Sequence, residues 1–318
     1  MDRMINFSIV TPTYNNPEEL EKFLSSLKDS NLKFNEIIVV DDSFQSPVDQ
    51  IIERFSQLPI RFIRLKKKLY ISQKRNLGAK ESKNEIIIFI DSDIILEKNS
   101  LRILLESLKN NPEIAMIGGL IKQGGKKLQP TKNDRLISHG EIYLCEVIYS
   151  PYLALYKSIF SRVNGYDEIF ENRGEGTDLS IKFWRAGFPI GRNLKSIVNH
   201  PLFKSERKSS DRIAEMYRSL FLVAYKYGIS LEENPHFIEM YQERKEAYGE
   251  TCEFYGIYAA AKYLNWFVKN YEIIKKSKDS IPKEYNFKPF DIFTNKELLK
   301  SCLGEAKSRI EPFYKKVF

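Results

Sequence analysis

The chain has 318 residues, 42% of them apolar and 29% charged, with a net charge of +8. That length and balance give an ordinary globular protein of one large domain or two, not a disordered or disulfide-stapled chain. No apolar run approaches the roughly 18 residues of a membrane span. The start, MDRMINFSIV, runs straight into a strand with no leader-like pattern. Cys145, Cys252 and Cys302 are far apart and lack zinc spacing, so reduced thiols in a cytoplasmic protein are expected. The positive charge suits an anionic ligand or the inner face of a membrane, and equally a solvated Lys-rich surface.

In chain order, Phe7 to Thr11 reads as a buried strand, followed by Pro12-Thr13-Tyr14-Asn15-Asn16 and an amphipathic helix from Pro17 to about Lys28. Asn16 is the expected N-cap and Pro17 the first helical residue. Glu36 to Val40 is a second buried strand ending in Asp41-Asp42-Ser43. A helix over 48–58, a strand from Ile60 to Leu65 and a helix from Ile71 to Ser82 come next. Ile86 to Ile90 is a run of five apolar residues, four of them β-branched, as in the centre of a parallel sheet, and it ends in Asp91-Ser92-Asp93. A helix over 99–110 and a strand over 114–118 complete this half. Strands alternating with helices imply a right-handed, mostly parallel sheet covered on both faces. Two strands then deliver carboxylates, Asp41/Asp42 and Asp91/Asp93, to one sheet edge, where open α/β sheets bind ligands. Two negative charges there are costly unless a cation or a donor group offsets them, as a hard divalent cation bridged to substrate phosphate would; the plain reading is a strand ending in a polar Asp-Ser-Asp turn. Neither the dinucleotide fingerprint nor the P-loop is present.

Four segments, Ser8-Ile9-Val10-Thr11-Pro12-Thr13-Tyr14-Asn15, Glu36 to Ser43, Arg75-Asn76-x-Gly78 and Phe89-Ile90-Asp91-Ser92-Asp93, together resemble the nucleotide-sugar half of family 2 glycosyltransferases, which have the GT-A fold. The resemblance implies that Thr11, Pro12 and Tyr14 line a uridine pocket and that Asp41 or Asp42 accepts from the base imide. It implies that Asp91, with Ser92 beside it, lies near the ribose, and that Asp93 ligates Mn²⁺ or Mg²⁺ on the diphosphate. A carboxylate suits the imide donor, and the metal would neutralise the leaving diphosphate. Arg75 and the Lys66-Lys67-Lys68 run are further candidates for the diphosphate, with packing, capping or a solvated face as the plain reading.

Residues 123–135 read as a basic loop. Strands follow over 142–148 and 151–156. Val163-Asn164-Gly165-Tyr166-Asp167-Glu168 resembles the family's Gly-Gly-Phe-Asp-Glu segment, with Asn164 able to take a positive φ. Gly174-Glu175-Gly176-Thr177-Asp178-Leu179 departs from the family's Glu-Asp-x-Asp-Leu: the usual base position falls on Gly176. Glu175 is the nearest surviving carboxylate and the expected base, since an inverting transfer needs a carboxylate to take the acceptor proton, with helix capping as its plain reading. Asp178 is held in reserve, its other role being a carboxylate at the start of a helix over 179–186. His200, in Ile197-Val198-Asn199-His200-Pro201, matches the metal-ligating histidine that the family often has after a strand, an ordinary polar residue being the plain reading; as a ligand it would favour Mn²⁺; His139 and His236 are left outside the site.

Beyond about residue 205 helical periods take over, at 212–227, 236–248, 251–269 and 296–310, with 281–290 as a linker. The expected architecture is a GT-A α/β domain over 1–205, divided at 120 into nucleotide and acceptor halves, and a helical region over 206–318. The expected function is metal-dependent, inverting transfer of a hexose from a nucleotide-diphospho sugar, UDP-linked, to a glycan, a lipid-linked glycan or a peptide. No nucleic-acid partner is expected; a homodimer and a peripheral membrane contact stay open. Two other classes are a sugar-nucleotidyltransferase, against which PTYNN after the first strand argues, and a binding protein that has lost turnover at Gly176.

Overall fold

The computed structural model describes residues 5–30, 32–45, 48–124, 126–129, 135–201, 209–229, 262–263, 266–279, 281–282, 284 and 291–318. The expected helices over 236–248 and most of 251–269, with His236 and Cys252, lie outside them. In chain order the elements are β1 (Phe7–Thr13), α1 (Pro17–Lys28), β2 (Glu36–Asp41), α2 (Asp49–Arg54), β3 (Ile60–Arg64), α3 (Ile71–Glu81) and β4 (Ile86–Ile90). Then come β5 (Ile95–Leu96), α4 (Ser100–Asn110), β6 (Met116–Gln123), β7 (Lys126–Gln129), β8 (Leu136–His139), β9 (Ile142–Cys145), β10 (Tyr152–Tyr156), α5 (Lys157–Arg162), α6 (Glu175–Arg185) and β11 (Ile190–Asn199). The described helices α7 (Ser209–Tyr227), α8 (Tyr271–Asp279) and α9 (Lys296–Val317) follow.

One mixed sheet runs β3-β2-β1-β4-β10-β6-β11-β9-β8, with β5 on β11 and β7 on β6. Pairing is parallel from β3 to β4, and again between β6 and β11, while β10 runs antiparallel between β4 and β6. The chain leaves β1 toward β2 on one side and β4 on the other, so the order reverses at β1. The carboxyl ends of β1, β2 and β4 therefore open on one crevice. Every residue of β2 and β4 is buried, the condition under which strands read as unbroken apolar runs.

Several elements differ from the sequence reading, among them short strands β5 and β8 and helices α5 and α8, which it did not expect. Part of the basic loop is strand β7, α6 begins at Glu175 rather than 179, and the last helix continues to Val317. Cys302, Ala306 and Ile310, four residues apart on α9, are fully buried in the same apolar cluster as the sheet. A smaller cluster joins Phe170, Ile181, Leu222, Val223 and Ile274, from the segment before α6, from α6, α7 and α8.

Candidate functional site

Helix α3 organises the site, and its close seat on the sheet explains the Arg-Asn-x-Gly spacing. A Cβ on Gly78 would stand 2.3 Å from Val10 Cγ1, so only glycine lets the helix lie this near β1. Asn76, two residues earlier, donates from Nδ2 to Tyr166 O and accepts at Oδ1 from Tyr166 N, both at 2.9 Å. That amide clamp holds the Asn164-Gly165 turn, where φ is 59° and 56°; the positive φ expected of Asn164 is present.

Arg75 is fully buried. Its guanidinium donates from Nη2 to Asp91 Oδ1 at 2.5 Å and from Nη1 to Glu175 Oε1 at 2.8 Å, and lies 5.5 Å from the Tyr166 ring centre. Burial works against its charge, but Asp91 and then Glu175 hold the arginine pKa up. Burial pushes the Asp91 pKa up; Arg75 opposes this and Asp93 adds to it.

Asp41 and Asp42, at the end of β2, are both fully buried. Asp41 Oδ1 accepts from Ser43 N and Oγ at 3.1 and 2.5 Å, and Arg64 Nε lies 2.9 Å from Oδ2. Burial raises its pKa in spite of these partners. Asp42 accepts from Lys74 Nζ at 2.7 Å and from Leu69 N at 2.8 Å, and Lys74 also donates to Thr13 O. Burial lowers the Lys74 pKa, with Asp42 opposing. At the end of β1, Thr11 Oγ1 is buried without a hydrogen-bond partner, and Pro12 is buried beside it. Tyr14 is 38% exposed, and Lys68 Nζ stands 4.2 Å above its ring, which gives one lysine of the basic run a place at the site. Asn16 makes no side-chain cap. Its Nδ2 donates instead to Ser92 Oγ at 2.8 Å, tying the β1 loop to the Asp-Ser-Asp turn.

Asp93 and His200 come together although 107 residues separate them in the chain. Asp93 Oδ2 is 3.3 Å from His200 Nε2, and Asp93 Oδ1 is buried with no hydrogen-bond partner. His200 follows β11; its backbone N–H donates to Lys122 O, and Gln123 Nε2 is 3.1 Å from its Nδ1. The hydrogen bond with Asp93 raises the His200 pKa, with burial opposing. Among the described residues no group of three His, Cys, Asp or Glu stands ready for a metal.

Gly174, at φ 85°, caps α6, which opens with Glu175. A Cβ on Gly176 would meet Ser150 Oγ at 2.8 Å and Ile148 O at 3.1 Å. Asp178 has zero exposure. Its Oδ1 accepts from Tyr227 OH and lies 2.7 Å from Lys226 Nζ, and Lys182 Nζ is 3.5 Å from Oδ2. Lys226 also reaches Asp167 at 2.7 Å. Sequence reasoning missed the cations at Lys74, Lys182 and Lys226. Only the position of Lys74 beside Arg75 signalled a paired role.

The model of glycosyl transferase family 2 matches residues 8–172. A dolichol-phosphate mannosyltransferase of Pyrococcus furiosus is 28% identical over 54% of this chain and 48% of its own length. A GalNAc(5)-diNAcBac-PP-undecaprenol beta-1,3-glucosyltransferase of Campylobacter jejuni is 22% identical over 86% of this chain and 87% of its own. The crystal structure of GalNAc-T7 with UDP, GalNAc and Mn²⁺ has a TM-score of 0.61 at 17% identity, over 89% of this chain and 59% of that one. The chain thus spans about half of the Pyrococcus relative and most of the Campylobacter one. The sheet has the GT-A arrangement seen in GalNAc-T7. With the family match covering more than half of its length and the four motif segments meeting at one crevice, the chain belongs to glycosyl transferase family 2.

Proposed function

We propose that the chain transfers a sugar, with inversion, from a nucleotide-diphospho sugar, UDP-linked, using a divalent cation held by Asp93 and His200. The convergence of those two side chains carries the reading. Oxygen and imidazole ligands at bond lengths near 2.1 Å stand about 3 Å apart when adjacent on an octahedron, which the 3.3 Å separation fits. The buried, unpartnered Oδ1 of Asp93 is the second sign, since an orphaned carboxylate oxygen is costly without a cation. When bound, the ion neutralises charge on the departing diphosphate. Tyr14, backed by Lys68, offers its ring to the base, Thr11 offers an unused hydroxyl, and Asp41 or Asp42 accepts from the imide. Arg75 acts through Asp91, which it sets toward the ribose, rather than on the diphosphate itself.

The test is thermal stabilisation. UDP with Mn²⁺ should raise the melting temperature, and UDP with a chelator should not, because only a ligand that binds the folded state stabilises it. Asp93→Ala should remove the metal-dependent part of the shift. A UDP effect of equal size with and without metal would sink the reading.

A further inference from the structure

We infer that Gln123 is a positioning residue for the cation: its amide selects which nitrogen of His200 carries the ring proton, and so whether Nε2 is open to a metal; this rests on the donor reading above. The placement comes from the sheet. Strands β6 and β11 run parallel with Asn199 opposite Lys122, and the His200 N–H donates to Lys122 O at 2.7 Å. His200 stands one step past Asn199, and Gln123 one step past Lys122. Side chains alternate between the two faces of a sheet. Lys122 Nζ and Asn199 Nδ2 both donate to Glu97 Oε1 at 3.4 Å, so Gln123 and His200 share the opposite face. Gln123 is also the last residue of β6, paired with Lys126 of β7 across a turn where Gly124 has φ 55°. That pairing holds its backbone and leaves the side chain to meet the imidazole.

The two ring nitrogens of His200 meet different neighbours. Nε2 is 3.3 Å from Asp93 Oδ2. Nδ1 is 3.1 Å from Gln123 Nε2 and 3.2 Å from Pro201 O. A neutral imidazole carries one proton, and the hydrogen bond made at one nitrogen sets the state of the other. The Asp93 carboxylate and the Pro201 carbonyl only accept, so they compete for that proton from opposite ends of the ring. Gln123 is the neighbour that works in either sense, because an amide end has a donor and an acceptor.

With its nitrogen toward Nδ1, Gln123 donates there, and the ring proton lies on Nε2, where it is given to Asp93. This arrangement satisfies the pair on its own and leaves Nε2 without a lone pair for a metal. Turned over, the amide presents Oε1 instead. Nδ1–H then donates to Gln123 and to Pro201 O, and the Nε2 lone pair is open beside Asp93. Histidines that bind metal keep their other ring N–H on an acceptor in this way. An amide serves both arrangements, a carboxylate only the second, and a hydrocarbon neither.

The experiment reads metal affinity rather than turnover. The full chain with saturating UDP is titrated with Mn²⁺, and free Mn²⁺ is followed by electron paramagnetic resonance. Gln123→Leu, similar in size and without polar atoms, should weaken Mn²⁺ binding by about 10–100-fold. Gln123→Glu, which keeps an acceptor at Nδ1, should bind at least as tightly as the parent. A packing role gives the reverse order, with leucine tolerated and the charged glutamate not. Gln123 is half-buried, so both variants should fold; circular dichroism checks this, and Gln123→Met takes the place of the leucine variant if that one does not. A loss under tenfold in the apolar variant, or a glutamate variant as weak as it, overturns the inference and leaves the donor reading standing, provided Asp93→Ala still loses Mn²⁺. Binding of Mn²⁺ unchanged in both Asp93→Ala and His200→Ala sinks the donor reading itself, and the inference with it.

Discussion

Two neighbouring residues of α3 answer three of the carboxylates of the crevice. Lys74 answers Asp42, and Arg75 answers both Asp91 and Glu175. Consecutive residues on a helix point about 100° apart, so one turn serves the carboxylates at the ends of β2 and β4 together. All these groups are buried or nearly so, and removing one partner leaves a charge that water cannot reach. Lys74→Met should therefore destabilise the fold by about 3–5 kcal/mol, measured by urea unfolding. Lys74→Met with Asp42→Asn should recover part of that loss, because the stranded charge is then gone. A single variant as stable as the parent would show that Lys74 does not neutralise Asp42. Asp42 and Asp91 were legible in the sequence, since each follows a run of buried β-branched residues, whereas Glu175 stands at the start of a helix. The partners were not legible. The pairings reach across 32, 16 and 100 positions, and no local period reports a contact of that range.

At the scale of elements, the seat of α3 on β1 is set by one missing side chain. Gly78→Ala would drive a methyl into Val10, so overpacking of about 1–3 kcal/mol is expected. Val10→Ala should make room, and in the double variant the cost should fall below the sum of the two single changes. Strict additivity in a double-mutant cycle would mean that the two residues do not meet. Element type was legible wherever burial is one-sided or complete, as in α1, β2 and β4. Strand direction was not. A strand buried on both faces shows the same apolar run whichever way it points, so β10 gave no sign that it runs against β4 and β6. The start of α6 at Glu175 was also hidden, because Gly174-Glu175-Gly176 reads as a turn until its left-handed cap is seen. The same opacity touched the candidate site, where Asn16 stands at the expected N-cap of α1 but turns its side-chain amide to Ser92 of the Asp-Ser-Asp turn.

At the scale of the whole molecule, the open point is whether the last helix unfolds with the catalytic sheet or apart from it. Cys302, Ala306 and Ile310 of α9 lie in the same apolar cluster as β1, β2 and β4, and the Tyr314 hydroxyl donates to Lys109 O at the end of α4. Contact of that kind should make α9 part of the sheet's cooperative unit. The chain carries its own reporters. Cys302 has zero exposure and burial pushes its thiol up to about 12, while Cys145 on β9 is 1% exposed. Only the thiolate reacts, so a raised pKa and burial act in the same direction, and at pH 8 iodoacetamide should leave Cys302 unmodified in the native state. As urea is added, Cys302 and Cys145 should become reactive over one range, followed peptide by peptide in the mass spectrometer. Cys302 labelled at clearly lower urea than Cys145 would mean that α9 lifts off first. The sheet would then hold its carboxylates and cations together without it, and the catalytic unit would end before Lys296.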